Sequence, residues 1–348
     1  MIEPVVLNKN FEALAAIDDY ASLIWTTRYY KCGDFEIVVP VTEKYVELIQ
    51  IGYYIRRDDD ENVGIIEDFE ISRSEEGDEQ MIVTGRFLAS ILARRIIAQQ
   101  TTINTTVSSA ILTLLNQNVR STSIGNRHIP NVEWKTVSVG SLTRMQAQYT
   151  GKNLLETIEN ICETYQYGFK VTLSNENHFV CELYQGTDRS YAQTANPYVI
   201  FSDEYDNLVS SRYQKQSSEL VTDVLVAGEG EGLDRKTLWV SKENLSGLDR
   251  YEMYLDQRNL STNDGEITET EYQSQMKEEG LENITQITTV FEGTVYFDNV
   301  KYREDVNVGD VCVIENKKWG ISINSRLIEV IESVDESGTY QVVPTFGV

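Results

Sequence analysis

Residues 51–97 read IGYYIRRDDDENVGIIEDFEISRSEEGDEQMIVTGRFLASILARRII. Tyr53, Ile55 and Arg57 alternate with Tyr54 and Arg56, the period of a half-buried strand. The acidic run from Asp58 to Asn62 then reverses the chain, and Ile65, Ile66, Phe69 and Ile71 form the return strand. SEEGDE at 74–79 supplies a second turn, and Met81 to Thr84 a third strand. After Gly85 the period changes. Phe87, Leu88, Ile91, Leu92 and Ile96 fall three and four apart, which places them on one face of a helix. Three strands and a helix describe a small barrel or sheet meander closed by that helix. Its acidic tip is the one feature that resembles a site.

A second stretch has the same layout. VGDVCVIENKKWGISINSRLIEVIES at 308–333 begins, like 51–72, with a β-branched residue and a glycine, then runs a strand, turns, and restarts at Gly-Ile. Gly52 to Gly64 spans 12 positions and Gly309 to Gly320 spans 11. Each return strand feeds another turn rich in Ser, Glu, Asp and Gly. The chain therefore reads as mainly β within an α+β class, with two related β units bracketing an α+β insert.

The remaining segments fill in that plan. Residues 24–30 and 35–39 are strands around a turn at 31–34, where Gly33 would supply a positive φ, and Pro40 ends the second strand because it cannot donate to a ladder. Val107, Ala110, Ile111, Leu114 and Leu115 mark one helix face, and Leu154, Leu155, Ile158, Ile161, Cys162 and Tyr165 another, with Gly168 as its stop. Strands at 169–173 and 178–183 follow. A third helix opens with a capping box, Thr268 and Glu271, and Gly280 is placed to end it. The segment 236–264 is polar and turn-rich, as in a protruding hairpin or loop. These boundaries give residues 1–100 as a first β-barrel with its closing helix, 101–197 as the α+β insert, and 198–348 as a second β-barrel carrying the 236–264 loop.

With 348 residues the chain can bury several cores. Its net charge is -25, from 30 basic and 55 acidic residues. That excludes a specific nucleic-acid grip, which needs clustered Lys and Arg, and docking on an anionic membrane. No apolar run approaches the roughly 18 residues of a membrane span, and the N-terminus has neither a basic start nor an apolar stretch. Synthesis in the bacterial cytoplasm is expected, with no membrane insertion. Cys32, Cys162, Cys181 and Cys312 show no paired spacing and read as buried apolar residues in a reducing compartment.

No catalytic constellation is visible. The two histidines, His128 and His178, lie near no second metal ligand at fixed spacing, and HExxH, GxSxG and phosphate-loop patterns are absent. The tip Asp58-Asp59-Asp60-Glu61-Asn62 fails as a calcium loop: Gly64 is one place late and Phe69 stands where a glutamate is needed. No catalytic, cofactor-binding or metal residue is assigned.

Several pieces in order over nearly the whole chain resemble a family of phage tail proteins. They are RYYKCGDFEIVVP (28–40), IGYYIRRDD, GIIEDFEIS, TGRFLASILARRI (84–96), GKNLLETIENICETYQYGFKVTL (151–173), YQGTDRS (184–190), YREDVNVGDVCVIENKKWGI (302–321) and PTFG (344–347). The chain looks like the baseplate hub of siphophages, prophages, contractile tails and phage-tail-like bacteriocins. The resemblance implies a homotrimer with two similar β-barrels per subunit, forming a near six-fold ring. One face of that ring would meet the hexameric tail tube protein and the other the spike or tip protein, among other baseplate proteins. No cofactor is implied, and the product would be a virion tail, a baseplate or a phage-tail-like particle. Two other readings stay open. One is a tail-associated cell-wall hydrolase, against which the chain ending at PTFGV leaves no room for a lytic domain. The other is a carbohydrate-binding tail-tip module, suggested by 20 tyrosines.

Overall fold

The acidic turn joins two antiparallel strands, and both belong to a sheet much larger than a hairpin. The computed structural model describes residues 2–75, 77–136, 139–262, 265–295 and 300–347. The first part of the chain forms β1 (Val5–Leu7), β2 (Ala13–Ala16), β3 (Ser22–Arg28), β4 (Asp34–Pro40), a short helix α1 (Glu43–Leu48), β5 (Tyr54–Arg56), β6 (Val63–Arg73) and β7 (Glu79–Phe87). Trp25, fully buried on β3, is the centre of its core, with ring centroids 5.8 Å from Phe35 and 4.7 Å from Phe87. Two glycines of this core are set by space. A Cβ on Gly33 would lie 2.2 Å from the Thr26 carbonyl oxygen, and one on Gly85 would lie 1.8 Å from that of Ile65. Gly33 was expected to provide a positive φ; close backbone approach is what the position requires instead.

The expected helix after Gly85 is a 3-10 helix, Leu88–Arg94, with no side-chain cap at Phe87. Its buried Leu88, Ile91 and Leu92 share one core with the segment that follows. That segment contains β8 (Thr101–Thr106), α2 (Val107–Leu115), β9 (Val132–Trp134), β10 (Arg144–Tyr149), α3 (Leu154–Tyr165), β11 (Gly168–Leu173) and β12 (Phe179–Tyr184). Both predicted helix faces are buried, except that Tyr165 is half-buried. Helix α3 is capped by Asn153, whose Oδ1 accepts from the Leu155 and Glu156 amides at 3.0 and 3.3 Å. It ends two residues earlier than expected, at Gln166 with φ 61°, and Gly168 opens the next strand.

The last part holds β13 (Ile200–Ser202), β14 (Leu208–Gln216), β15 (Asp223–Ala227), β16 (Thr237–Ser241), β17 (Glu252–Asp256), α4 (Glu269–Asn283), β18 (Thr288–Val295), β19 (Val311–Asn316), β20 (Ile321–Val334) and β21 (Tyr340–Gly347). Two strands of a small sheet, β16 and β17, lie within the 236–264 segment and flank β15, with α4 packed on them. The capping box at Thr268 is present. Helix α4 continues through Gly280, where a Cβ would meet Val240 at 2.6 Å, so this glycine serves helix–sheet packing.

Strand order decides the architecture. In the first half it runs β3-β4-β7-β6-β5, and in the second β14-β18-β21-β20-β19, each neighbour antiparallel. The same five-strand arrangement therefore occurs twice. Gly52 and Gly309, the glycines matched by sequence, both have left-handed backbones, with φ of 83° and 102°. The halves are joined by β3, the edge strand of the first, and the stretch of β20 beyond its pairing with β19, from Leu23 opposite Val334 to Arg28 opposite Glu329. The result is one sheet of thirteen strands among the described residues, with β13 pairing β19 and β1 and β2 extending the β5 edge. Its path is open, and neither half closes into a barrel among the described residues. The fold is mainly β, as expected.

Steric limits at the glycines give a test. Gly85→Ala should lower stability by about 1–3 kcal/mol, because the backbone of β6 must move. Gly125→Ala, which has open space and no positive φ, should change it by less than about 1 kcal/mol. Urea unfolding of both variants checks the contrast.

Candidate functional site

Arg57 stands at the end of the row containing Tyr53 and Ile55, and that row faces inward: Ile55 and Arg57 are both buried. An arginine there must bring its own anions into the core. They come from opposite ends of the chain. Arg57 donates to Glu332 of β20 with both terminal nitrogens, at 3.1 and 3.3 Å, and to Asp59 at 2.9 and 2.7 Å. The side chains of Arg57 and Glu332 are both fully shielded from solvent. The guanidinium also lies 5.2 Å from the Trp25 ring centre, a cation–π contact.

A second arginine completes the cluster. Arg303, in a left-handed backbone conformation with φ 69°, donates Nη1 to Glu332 at 2.9 Å and Nη2 to Asp60 at 2.6 Å. The Trp25 indole donates to Asp60 at 2.7 Å, and the Tyr340 hydroxyl to Glu332 at 2.7 Å. Burial alone would raise the Glu332 carboxyl, yet the hydrogen bond from Arg303 and the charge of Arg57 hold it below its ordinary value. Asp59 is lowered chiefly by its bonds to Arg57. At the rim of the junction Arg28 bridges Glu329 at 2.6 Å and also pairs with Asp34.

The acidic tip is thus divided. Asp58 points outward with 84% of its side chain exposed, whereas Asp60 is buried with 3% exposed. Glu61 reaches the insert through Lys170, 2.6 Å away. Together the tip, Tyr184, Tyr302, Arg303 and Asp310 line a cleft of about 700 Å³ where both sheet halves and the insert meet. Its charges are engaged in holding three parts of the chain together.

Neither histidine belongs to this cluster. His128 Nδ1 sits 3.2 Å from the Val119 carbonyl, and His178 Nδ1 is 2.6 Å from Glu133. The structure does not bring the two histidines into one site. Cys162, Cys181 and Cys312 are buried and unpaired, and Cys32 is half-buried; burial pushes the thiols of Cys32 and Cys181 up to about 12. Among the described residues no group of three or more His, Cys, Asp or Glu could hold a metal, and no helix is long and apolar enough to cross a membrane. Sequence reading missed Glu332, Arg303 and Tyr340, which lie far along the chain from Arg57. The available signal was Arg57 itself, a charge on an apolar row.

With the junction described, comparison with known proteins places the chain. Residues 3–348 match the model of the Siphovirus ReqiPepy6 Gp37-like protein family. The chain belongs to that family. Its fold is similar to that of a tail protein from Neisseria meningitidis MC58, with a TM-score of 0.59, 14% identity, and coverage of 100% of this chain and 96% of that one. It is also similar to the prophage MuSo2 43 kDa tail protein from Shewanella oneidensis, with a TM-score of 0.60, 15% identity, and coverage of 99% and 98%. A third likeness is to the prophage tail protein gp18 from Listeria monocytogenes EGD-e, with a TM-score of 0.55, 10% identity, and coverage of 99% and 94%. No curated protein matches the chain in sequence. The tail-protein resemblance drawn from the ordered motifs is therefore shown for this siphovirus tail family.

The depressed Glu332 and Asp59 values fix the sign of a pH response. Their contribution is present above the ordinary carboxylate values of 4.5 and 3.8 and is lost as pH falls through the lower folded values. The urea midpoint should therefore fall on acidification in that range, and Glu332→Gln, which cannot ionise, should lose that part of the fall.

Proposed function

We propose that the chain is a baseplate hub protein: a non-catalytic trimer joining a hexameric tail tube to the tip or spike of a phage tail or phage-tail-like particle. The observation that carries this reading is the repeated strand order. Three chains, each with two equivalent five-strand units, present six similar units around an axis, which suits a six-fold partner on one side and a three-fold one on the other. Each unit is the counterpart of one small barrel of the expected two-barrel plan. Residues 1–100 and 198–348 then form the ring, and 101–197 forms the insert.

The sheet's open path supports the same reading. Its strand order ends at β2 and β14, and a closed ring of subunits would cover or pair edge strands, which otherwise invite aggregation. The net charge of -25 keeps nucleic acid from adhering to any channel the ring encloses. In this reading the protein is made in the bacterial cytoplasm and taken into the particle through its tube, spike and other baseplate contacts.

Light scattering on the purified chain should give the mass of a trimer, with a ring of near six-fold outline in electron micrographs. A monomer persisting at high concentration would contradict the proposal.

A further inference from the structure

Helix α4 belongs to the small lobe of β15, β16 and β17, yet its other side rests on the insert. The two sides differ in kind. Toward the lobe it presents Tyr272 and Met276 to Val224, Val226 and Val240. Toward the insert it presents three glutamates. The Tyr165 hydroxyl of α3 donates to Glu278 at 2.6 Å, and the Tyr149 hydroxyl of β10 donates to Glu282 at 2.7 Å. Lys152 donates to both oxygens of Glu279, at 3.2 and 2.9 Å, and Gln257 donates to that carboxylate too.

This seam is unbalanced in two ways. Three carboxylates face Lys152, with Lys277 acting only on Glu278, and Glu279 is buried at 1% exposure, so little water screens the repulsion. Beside them, Gln148 Nε2 of β10 and Gln275 Oε1 of α4 are buried without a hydrogen-bond partner among the described residues. Unpaired buried polar groups are costly, and water would satisfy them if the seam opened. The lobe is attached to the main sheet by two connectors, 217–222 and 284–287, which line a cleft of about 510 Å³.

We propose that this seam is a proton-operated latch: the lobe is held on the insert when Glu282 carries a proton and is released to swing on its two connectors when Glu282 is ionised. Protonation removes one of the three negative charges and turns a repelled carboxylate into a neutral partner for Tyr149. The titratable groups facing Glu282 are Glu279 and Glu278 on its own helix, Lys152 before α3, and Tyr149 on β10. Tyr165 of α3 faces Glu278. At the distant first turn, Lys236, Glu229 and Glu269 are paired with one another.

Burial and repulsion from Glu279 push Glu282 up to about 7 from 4.5. A raised carboxyl favours the closed seam at low pH, and the advantage is lost as pH rises through the folded value. The device is internal to one chain and does not depend on ring assembly.

Hydrogen–deuterium exchange of the full chain, corrected for intrinsic rates, tests it. Protection of peptides covering β10 and α4 should fall by up to roughly tenfold per unit as pH rises from 4.5 toward about 7 and level off above it, while β3 and β20 stay unchanged. Glu282→Gln should abolish the pH dependence and stay protected. Tyr149→Phe, which removes a bond that favours the ionised form, should move the transition to higher pH. A flat wild-type profile, a Glu282→Gln variant that keeps the pH dependence, or a folded Tyr149→Phe variant with an unmoved transition would each overturn the proposal.

Discussion

Burying the Arg57 guanidinium commits the chain to bringing Glu332 to it, across 275 residues of sequence. Neither charge has water to turn to, since both side chains are fully enclosed. An isolated buried ion would cost several kcal/mol. The pair is tolerated because its charges are shared widely: Arg57 makes bidentate contacts to two carboxylates, and Glu332 also accepts from Arg303 and Tyr340. This requirement specifies the pairing more than it adds stability, because well-packed apolar residues often do as well energetically. It selects the register of β3 on β20, since a slip of one residue would turn Glu332 to the opposite face.

The junction explains how a duplicated sheet becomes one body. Two copies of a five-strand unit could have stood apart, each with its own edges. Instead β3 and β20 pair, and the cluster of Trp25, Arg57, Asp60, Arg303 and Glu332 fills the space where the halves meet. The insert is tied in at the same place by Lys170 and Glu61. One unit with two equivalent halves suits the hub role proposed above. The small lobe of β15 to β17 stands outside this scheme and contacts the insert through a polar seam. Polar, imperfectly satisfied contacts open at lower cost than apolar ones.

Much of this was legible in residues 51–97 and their echo. Period-2 rows gave the strands, 3.6-period rows gave α2 and α3, and the paired Gly52 and Gly309 marked equivalent turns because only their backbones turn left-handed there. Misreadings arose where tertiary contact overrides local pattern. The stretch after Gly85 had a helical period but no capping residue, and it became a 3-10 helix inside a shared core. Gly280 was read as a helix end, yet its missing Cβ serves Val240. Residues 236–264 were too polar to announce strands, which pair with β15 from both sides. The single sheet was hidden because the β3–β20 pairing joins segments about 300 residues apart. The acidic tip showed the presence of charge and nothing of its partners.

A double-mutant cycle on Arg57 and Glu332, read by urea unfolding at neutral pH, tests the central claim most directly. Arg57→Met and Glu332→Leu should each cost about 3–5 kcal/mol, since each leaves a fully buried charge short of one of its partners, whereas the double variant should lose far less than their sum. Additive losses, or separate unfolding of the two sheet halves in the wild-type chain, would contradict the account.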